Sequence, residues 1–374
     1  MRRAFTGIDE TLQLDRMPVS PRDPLFAFDA ADERLVDHCH RAALLTPGLW
    51  ILNDRFGALS LALARWAPRT ILESVLVAHG IEHNGALNET PIRQIQCLNA
   101  PACPDEQTRL VVMRLPKSKH LLRAQLTALR PHLADGCVVV AGAMVKHLSH
   151  EMVKEFDRYI GPTTMTRAVK KARLIIAHWA QRTIMPPTMP SYEVPGLPTT
   201  MHGRAGVFGG GQLDAGAALL LTHLPSIPTH GTAIDLGCGD GVLGIALAHR
   251  SAELTIRFSD VSYRAIACAQ ENWVRQGFDG RQAQFVAEDC LEHAQPNSTE
   301  LIVCNPPFHD EHVRSDATAR RMFARARSIL KPGGQLVVVG NRHLGYHVKL
   351  KRLFGHCKPI GQSAKFVVFM VTKA

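Results

Sequence analysis

The sequence lacks the features of a membrane-bound, exported or metal-binding protein. It contains no stretch of about 18 apolar residues, and the two arginines near its start are not followed by the apolar run of a secretion signal. Its nine cysteines are scattered, and no C-x-x-C pair occurs among them. These absences predict a reduced, cytoplasmic protein that binds neither a membrane nor a metal ion.

Acidic side chains are fewer than basic ones, and the net charge varies along the chain. Lysine and arginine number 43 against 33 aspartates and glutamates, a net charge of +10. The net charge is −4 over residues 1–108 and +10 over 109–182, then −6 over 201–310 and +11 over 311–374. Each half is therefore acidic first and basic second. The positive total indicates a polyanionic partner such as nucleic acid, although a basic chain is not by itself specific for one.

The length and the prolines indicate two domains joined by a linker. The 374 residues exceed the usual size of one domain, and five prolines between Met185 and Pro198 interrupt any helix or central strand. We therefore predict one domain over residues 1–185 and a second over residues 199–374. Residues 186–198 are the predicted linker.

Three landmarks recur in the same order in the two halves: an apolar strand with a turn and a helix, a strand followed by proline, and a leucine followed by a valine-rich strand. Their ranges in the first and second half are, in order, 50–64 and 232–248, 110–117 and 301–308, and 129–142 and 330–340. Strands that alternate with helices are typical of a parallel sheet covered on both faces. The predicted fold class is α/β, with two tandem doubly wound Rossmann-like domains from an internal duplication. Phe366–Thr372 should add a last strand, at an edge or inserted.

The turn after the first strand of the second half has the pattern of a cofactor site. Gly237 and Gly239 allow a tight turn and let a ligand lie against the backbone. The spacing also fits the G-x-G-x-x-G pattern of NAD enzymes, so the turn alone leaves both cofactors open. Asp235 favours S-adenosylmethionine, because a carboxylate before the first glycine can face the cofactor's ammonium group or bound water. Its alternative role is to cap the helix.

Carboxylates also follow the next two strands. Asp260 lies at the expected end of the second strand, where a carboxylate can accept hydrogen bonds from both ribose hydroxyls, as in NAD enzymes. Asp289 follows the third strand and suits the adenine amine, with Glu288 or a plain surface acid as the alternatives. Both positions are therefore predicted to bind the adenosine part of the cofactor.

Asn305-Pro306-Pro307-Phe308 indicates methyl transfer to an amine. An exocyclic amine is a weak nucleophile, because its lone pair is delocalised into the base. The Asn305 side-chain oxygen and the Pro306 carbonyl can accept its hydrogens, direct the lone pair at the sulfonium methyl group and stabilise the charge that develops. Asn305 thereby also borders the cofactor, and Phe308 offers a ring on which an extruded base can stack. Asn-Pro-Pro is also ordinary turn chemistry, but its place after an apolar strand favours the catalytic interpretation.

These motifs resemble those of the class I amino-methyltransferases, which act on guanine N2, adenine N6, cytosine N4 or a glutamine amide. Nearly the whole chain resembles the bacterial ribosomal RNA guanine-N2 methyltransferases. Four motifs are similar to the large-subunit methyltransferase G family rather than its small-subunit relative: residues 51–60, 161–164, 170–174 and 341–344. The resemblance implies transfer of a methyl group from S-adenosylmethionine to N2 of a guanine in 23S ribosomal RNA. The alternatives are a guanine of the small-subunit RNA and a protein glutamine amide.

One motif departs from the family pattern. The family's G-V-F-S segment reads Gly206-Val-Phe-Gly209 here, so the serine hydroxyl is missing. Phe208 and Asp214 are still candidate wall residues of the cofactor site.

The first copy lacks the residues that the second copy uses. Ile51, Asn53 and Arg55 replace the aspartate and the two glycines of the turn, and their side chains would occupy the cofactor's space. Arg114–Lys117 replaces the Asn-Pro-Pro-Phe motif and supplies cations that suit phosphate. We interpret this copy as a degenerate domain that supports the catalytic half and holds RNA.

The candidate RNA contacts are Lys170, Lys171 and Arg173. The alternative for each of these cations is a solvated face. The alternative for the whole chain is an RNA-binding module without catalysis.

Overall fold

The computed structural model describes residues 3–8, 10–20, 25–103, 106–186, 188–307 and 312–374, with side chains from Asp316 onward in the last range. The chain forms two units, Met1–Thr188 and Met189–Ala374. Within the described residues, no helix is both long enough and apolar enough to cross a membrane.

The N-terminal unit contains a two-stranded hairpin and a seven-stranded sheet. Its strands are β1 (Arg3–Thr6), β2 (Thr11–Leu14), β3 (Trp50–Leu52), β4 (Arg69–Leu72), β5 (Gln96–Asn99), β6 (Thr108–Arg114), β7 (Leu133–Met144), β8 (Thr163–Met165) and β9 (Ala172–His178). Its helices are α1 (Ala30–Arg41), α2 (Ala58–Ala62), α3 (Val75–Leu87), α4 (Lys119–Leu129) and α5 (His150–Tyr159). The large sheet has the order β5-β4-β3-β6-β7-β9-β8, and β9 runs antiparallel to both of its neighbours.

The C-terminal unit repeats this arrangement. Its strands are β10 (Ser191–Tyr192), β11 (Met201–His202), β12 (His230–Leu236), β13 (Glu253–Asp260), β14 (Ala283–Ala287), β15 (Thr299–Cys304), β16 (Leu330–Asn341), β17 (Lys358–Gln362) and β18 (Phe366–Thr372). Its helices are α6 (Ala215–Thr222), α7 (Val242–Arg250), α8 (Tyr263–Arg275), α9 (His312–Ile329) and α10 (Tyr346–Phe354). The large sheet has the order β14-β13-β12-β15-β16-β18-β17, and β18 is antiparallel to both neighbours.

The two large sheets have the same strand order, so the predicted pair of doubly wound α/β domains is confirmed. The last strand, β18, is inserted between β16 and β17 rather than placed at the edge. Parallel strands in such a sheet are covered by helices on both faces, which explains why residues 301–304 of β15 are at most 1% exposed.

Strand positions identify equivalent residues in the two units. Asp235 is the next-to-last residue of β12, and Ile51 is the next-to-last residue of β3. The same distance further along, Gly241 and Gly57 begin the following helices with left-handed φ angles of +86° and +87°. The predicted correspondence of Ile51, Asn53 and Arg55 with the second-half turn is therefore the structural one.

Polar side chains start the helices that cover the sheets. Asp29 precedes α1, Ser74 precedes α3, Asp214 precedes α6 and Ser262 precedes α8, and each accepts a hydrogen bond from a backbone N–H of its helix. Such acceptors satisfy N–H groups that have no partner within the helix. These helix starts lie after carboxyl ends of strands or next to them, where the sequence predicts the site.

Much of the segment assigned to a linker packs with the C-terminal unit. Residues 191–192 form β10 and pair with β11, and Val194 is 4% exposed within the apolar core of this unit. Tyr192 and Leu197 pack against the same core. The prolines disfavour a helix here, but they leave room for a short hairpin whose apolar residues are buried.

The burial of Val194 can be tested by truncation. We expect Val194→Ala to destabilise the C-terminal unit by about 1.5–3 kcal/mol, because two buried methyl groups are removed and a cavity is left. Val274→Ala is the matched control, since Val274 is 54% exposed. Urea unfolding of the full chain measures both effects, and equal midpoints for the two variants would contradict the assignment of Val194 to the core.

Candidate functional site

The glycine turn after β12 lies in the left-handed region of backbone conformation. Gly237, Gly239 and Gly241 have φ angles of +74°, +56° and +86°. A side chain at position 239 would extend into space with no described atom within 4 Å. The turn therefore needs glycine for its conformation and keeps its outer side open.

Asp235 lies beneath this turn and is 1% exposed. Its Oδ2 accepts a hydrogen bond from the Gly244 N–H at 2.8 Å, and its Oδ1 is buried without a hydrogen-bond partner among the described residues. Burial raises the pKa of its carboxyl group well above the usual value. The contact with Gly244 is the one expected from the helix-cap alternative, because it joins the end of β12 to an N–H in the first turn of α7.

A pocket opens beside the glycine turn. It brings three of the predicted residues together, namely Gly237, Gly239 and Asn305. The other lining residues are Tyr192, Phe208, Gly209, Gln212, Asp214, Ala217, Cys238, Asp240, Val242 and Leu243. Phe208 and Asp214 line this pocket, whereas Asp235, Asp260 and Asp289 do not.

Asn305 follows the last residue of β15 and is held by Asp214. Its Nδ2 donates a hydrogen bond to Asp214 Oδ2 at 3.0 Å. Its Oδ1 is buried and has no hydrogen-bond partner in the described part of the chain. Pro306 is buried next to it, and Phe308 lies outside the described residues. Asn305 therefore keeps one buried acceptor that no described protein group uses.

Asp260 ends β13 and is tied to the glycine turn. Its Oδ2 accepts from the Gly239 N–H at 3.0 Å, and its Oδ1 accepts from the Ser262 N–H at 2.9 Å. Burial raises the pKa of this carboxyl group, and the two backbone hydrogen bonds oppose that shift. The carboxylate is therefore fixed in direction beside the turn, at the strand end where the sequence predicts it.

The two acids after β14 have different partners. Glu288 is 1% exposed; its Oε1 accepts from Arg257 Nη2 at 2.8 Å, and its Oε2 accepts from the His293 N–H at 2.9 Å. Asp289 forms an ion pair with Arg321 through Oδ2. Because Glu288 is almost fully buried as well as paired at both oxygens, Asp289 is the better candidate for a cofactor contact.

Tyr192 and Asp240 form a polar pair in the pocket wall that the sequence does not predict. The Tyr192 hydroxyl donates a hydrogen bond to Asp240 Oδ2. Asn272, 1% exposed, donates to the Asp240 carbonyl at 3.0 Å and to the His202 carbonyl at 2.9 Å. These bonds attach the β10–β11 hairpin to the turn. The only sequence signal is a tyrosine in a segment otherwise rich in proline.

The equivalent position in the N-terminal unit is filled by side chains. Asn53 has a left-handed φ of +59°, and Gly237, its equivalent in the other unit, has one of +74°. Its amide exchanges hydrogen bonds with Gln125 at 2.7 and 3.0 Å, and Gln125 also donates to Glu73 at 2.8 Å. The corresponding strand ends are therefore bridged by a polar network rather than left open.

The structure contradicts the expectation that Arg114 binds phosphate. Arg114 occupies the position of Asn305 and is expected from the sequence to suit phosphate, but it is 4% exposed. Its guanidinium donates to both oxygens of Asp29 at 2.5 and 2.7 Å, and to Asp32 at 2.9 Å. Two carboxylates therefore neutralise it inside the unit, which leaves it no role in binding a phosphate.

The predicted RNA-binding cations lie at the β8–β9 hairpin. Lys170 and Lys171 form its turn with φ angles of +49° and +59°, and both are exposed. Lys170 contacts Glu33 Oε2 at 3.1 Å across the surface. Arg173 is half-buried, and its Nη1 lies 3.8 Å from the Met165 sulfur. The two lysines are thus the more accessible members of the predicted group.

Within the described ranges, no group of three or more histidine, cysteine, aspartate or glutamate side chains is arranged to hold a metal ion. The cysteines are free thiols, and most of them are buried.

Comparison with known proteins agrees with this arrangement. Residues 2–181 match the RLMG N-terminal domain family, and residues 198–370 match the methyltransferase small domain family. With the doubly wound sheet and the glycine turn, these matches define a methyltransferase.

Relatives that match over their full length identify the family within the methyltransferases. Proteins named ribosomal RNA large subunit methyltransferase G are 39% identical in Photobacterium profundum, with 100% of both chains covered, and 41% identical in Ectopseudomonas mendocina, with 99% of both covered. The protein of that name from Stutzerimonas stutzeri is 40% identical over 97% of this chain and 98% of its own. The chain belongs to the ribosomal RNA large subunit methyltransferase G family, as the resemblance predicts.

A solved structure has the same fold over the whole chain. It is the T. thermophilus 16S rRNA N2 G1207 methyltransferase in complex with AdoMet and guanosine. The TM-score is 0.77 and the sequence identity 21%, with 100% of this chain and 98% of the other covered.

The stability of the folded chain should depend on pH through Asp240, the partner of Tyr192. Burial raises the pKa of Asp240 to about 6, above the value of 3.8 expected in the unfolded chain, so the folded state holds this proton more tightly. The stability that the proton contributes is complete below about pH 4 and is lost as the pH rises to about 6, a change of up to about 3 kcal/mol.

Asp240→Asn removes this titration. The stability of the wild type relative to Asp240→Asn should therefore fall between about pH 4 and pH 6 and stay level above that range. Urea unfolding of both proteins across the range measures the difference. Parallel pH profiles would show that Asp240 does not titrate in this way.

Proposed function

We propose that this chain transfers a methyl group from S-adenosylmethionine to the N2 amine of a guanine in 23S ribosomal RNA, in the cytoplasm. The observation that carries the proposal is the buried Oδ1 of Asn305, unpaired among the described residues, in the wall of a pocket that also contains Gly237 and Gly239. The names of the full-length relatives support a large-subunit RNA substrate. The fold neighbour, solved with AdoMet and guanosine, is a precedent for this pair of ligands.

The residues beside the turn suit S-adenosylmethionine. Gly237 and Gly239 would let the cofactor lie against the backbone, and the open space around Gly239 is where a side chain would otherwise project. Asp260 would accept hydrogen bonds from the ribose hydroxyls, because its carboxylate is aimed by two backbone N–H groups. Asp289 would contact the adenine amine. Asp235 would support the turn from below, through its bond to Gly244.

The chain's contribution to catalysis is to orient the amine. The bound cofactor supplies the electrophilic methyl group on its sulfonium. Asn305 Oδ1 and the Pro306 carbonyl would accept the two N–H hydrogens, which turns the lone pair toward the methyl group and stabilises the positive charge that develops on nitrogen. Because these acceptors are fixed before the reaction, no strong base is needed. Phe308 would provide the stacking surface for the base.

Asn305→Ala tests this role. We expect methyl transfer to fall by about 100-fold or more, as for the loss of one preorganised polar group at a reacting centre, with S-adenosylmethionine affinity changed less than about 3-fold. Single-turnover rates and calorimetry measure the two quantities. A variant that keeps more than about a tenth of the wild-type rate would contradict the assignment.

The substrate is tested by mass mapping of modified nucleosides and peptides from cells with and without the gene. Loss of N2-methylguanosine from 23S ribosomal RNA supports the proposal, with complementation by wild type and by Asn305→Ala as controls. Loss of the modification from 16S RNA, or of a methylated glutamine from a protein, would assign the activity to one of the alternatives.

The N-terminal unit is proposed to hold the RNA. Residues 109–182 carry a net charge of +10, and Lys170 and Lys171 stand exposed at a hairpin tip. Lys117 and Lys146 are exposed after the carboxyl ends of β6 and β7. Burial lowers the pKa of the His147 imidazole, and these two lysines lower it further, so their charges act on one region of the surface. Cations at several strand ends and at the tip suit the phosphates of one extended polyanion.

Charge removal at the hairpin tip tests this proposal. In the full chain, Lys170→Gln/Lys171→Gln should reduce the slope of log affinity for RNA against log salt by up to about one for each phosphate that the variant no longer neutralises. S-adenosylmethionine affinity should be unchanged. Arg93→Gln/Arg109→Gln is the matched control, because these two exposed arginines lie before or near the amino ends of β5 and β6. Equal slopes for the two double variants would remove the lysines from the RNA interface, and Arg173→Gln can then be tested separately.

A further inference from the structure

Asp214 makes three hydrogen bonds through one carboxylate oxygen. Its Oδ2 accepts from the Gly216 N–H at 2.8 Å and the Ala217 N–H at 3.0 Å, at the start of α6. It also accepts from Asn305 Nδ2 at 3.0 Å. We infer that Asp214 is a positioning residue that fixes the Asn305 amide with its oxygen toward the acceptor amine. This inference rests on the proposed function.

The orientation follows from the chemistry of the two groups. A carboxylate accepts hydrogen bonds and cannot donate them, whereas the two ends of an amide differ, since the nitrogen donates and the oxygen accepts. Asn305 can therefore bind Asp214 only through Nδ2, and its Oδ1 must point elsewhere. That Oδ1 is buried without a partner among the described residues, a costly state for a polar atom unless a ligand donor supplies the missing bond.

Glycine at position 216 leaves room for the contact between Asp214 and Asn305. A Cβ added at Gly216 would lie 2.9 Å from Asp214 Oδ2 and 3.3 Å from Asn305 Oδ1. Position 216 is therefore free of a side chain at the point where the carboxylate and the amide meet. Asp214 itself lines the pocket, which places it beside the reacting groups rather than in the distant core.

The N-terminal unit contains the same contact with a different donor. Asp29 begins α1 as Asp214 begins α6, and it accepts from the Ala31 N–H at 2.8 Å. It also binds Arg114, which stands where Asn305 stands. In both units the acid at the helix start binds the side chain at the carboxyl end of the fourth strand of the large sheet, counted along the chain. A guanidinium has no acceptor to offer, so only the amide leaves an oxygen for a substrate amine.

Two substitutions separate this role from helix capping. Serine and asparagine both cap helices about as well as aspartate, so Asp214→Ser and Asp214→Asn should each preserve α6. Asparagine keeps an oxygen at the same distance from the backbone, whereas serine is too short to hold Asn305. In the full chain we expect Asp214→Ser to lower the single-turnover rate by about 30-fold or more, and Asp214→Asn by less than about 3-fold.

Thermal melting checks the fold of the variants, and a double variant checks whether Asp214 acts through Asn305. Both variants should melt within a few degrees of wild type, because each keeps the helix cap. In the Asn305→Ala background, Asp214→Ser should cause no further loss, because the group that Asp214 orients is gone. A general structural role would instead lower the rate by the same factor in both backgrounds.

The results that overturn the inference are distinct from those that overturn the proposed function. A wild-type rate for Asp214→Ser, equal losses for the serine and asparagine variants, or additive losses with Asn305→Ala would each overturn the positioning role alone. Failure of the wild type to methylate 23S ribosomal RNA would overturn the proposed function and the inference with it.

Discussion

The structure depends on a carboxylate that starts a helix and also holds the side chain at the end of a neighbouring strand. Asp214 holds Asn305 in the C-terminal unit, and Asp29 holds Arg114 in the N-terminal unit. In each case one acid satisfies backbone N–H groups of the helix and sets the direction of a polar group at the carboxyl edge of the sheet. What the edge can do then depends on the donor. The Asn305 amide keeps one acceptor without a partner among the described residues, whereas the Arg114 guanidinium has no acceptor to offer.

The same logic applies to the turn after the first central strand. In the C-terminal unit the acid lies within the strand, so Asp235 reaches the Gly244 N–H from beneath and the turn itself is glycine. In the N-terminal unit the acid lies within the turn: Asp54 accepts from the Ser60 N–H at 2.9 Å and the Ser60 hydroxyl at 2.7 Å. Both solutions anchor the helix. Only the first leaves the outer side of the turn bare, which is the physical reason that we place the cofactor in the second half.

How much could be predicted from the sequence depends on how local the determining contacts are. The fold class follows from strand and helix periodicity, and the pocket position follows from Gly237, Gly239 and Asn305, which act near their own strand ends. The neutralisation of Arg114 was not predictable in this way, because Asp29 lies 85 positions earlier in the chain. Likewise, Tyr192 lies in the pocket wall because of the β10–β11 hairpin. Its hydrogen-bond partner, Asp240, is 48 positions away in the sequence. A basic residue in a motif therefore predicts a positive charge, but tertiary contacts decide whether that charge is free to bind a ligand.

The lysines at the β8–β9 turn connect backbone conformation to the proposed RNA contact. Two-residue hairpin turns with positive φ at both positions favour glycine, asparagine and aspartate, because a Cβ is strained there. Lys170 and Lys171 occupy this turn with φ angles of +49° and +59°, although smaller residues would fit it better. Both side chains are exposed, and the ion pair of Lys170 with Glu33 lies at the surface, where such a pair contributes little to stability. The turn gains nothing from lysine in conformational terms, and two adjacent exposed cations suit the polyanionic partner that we propose.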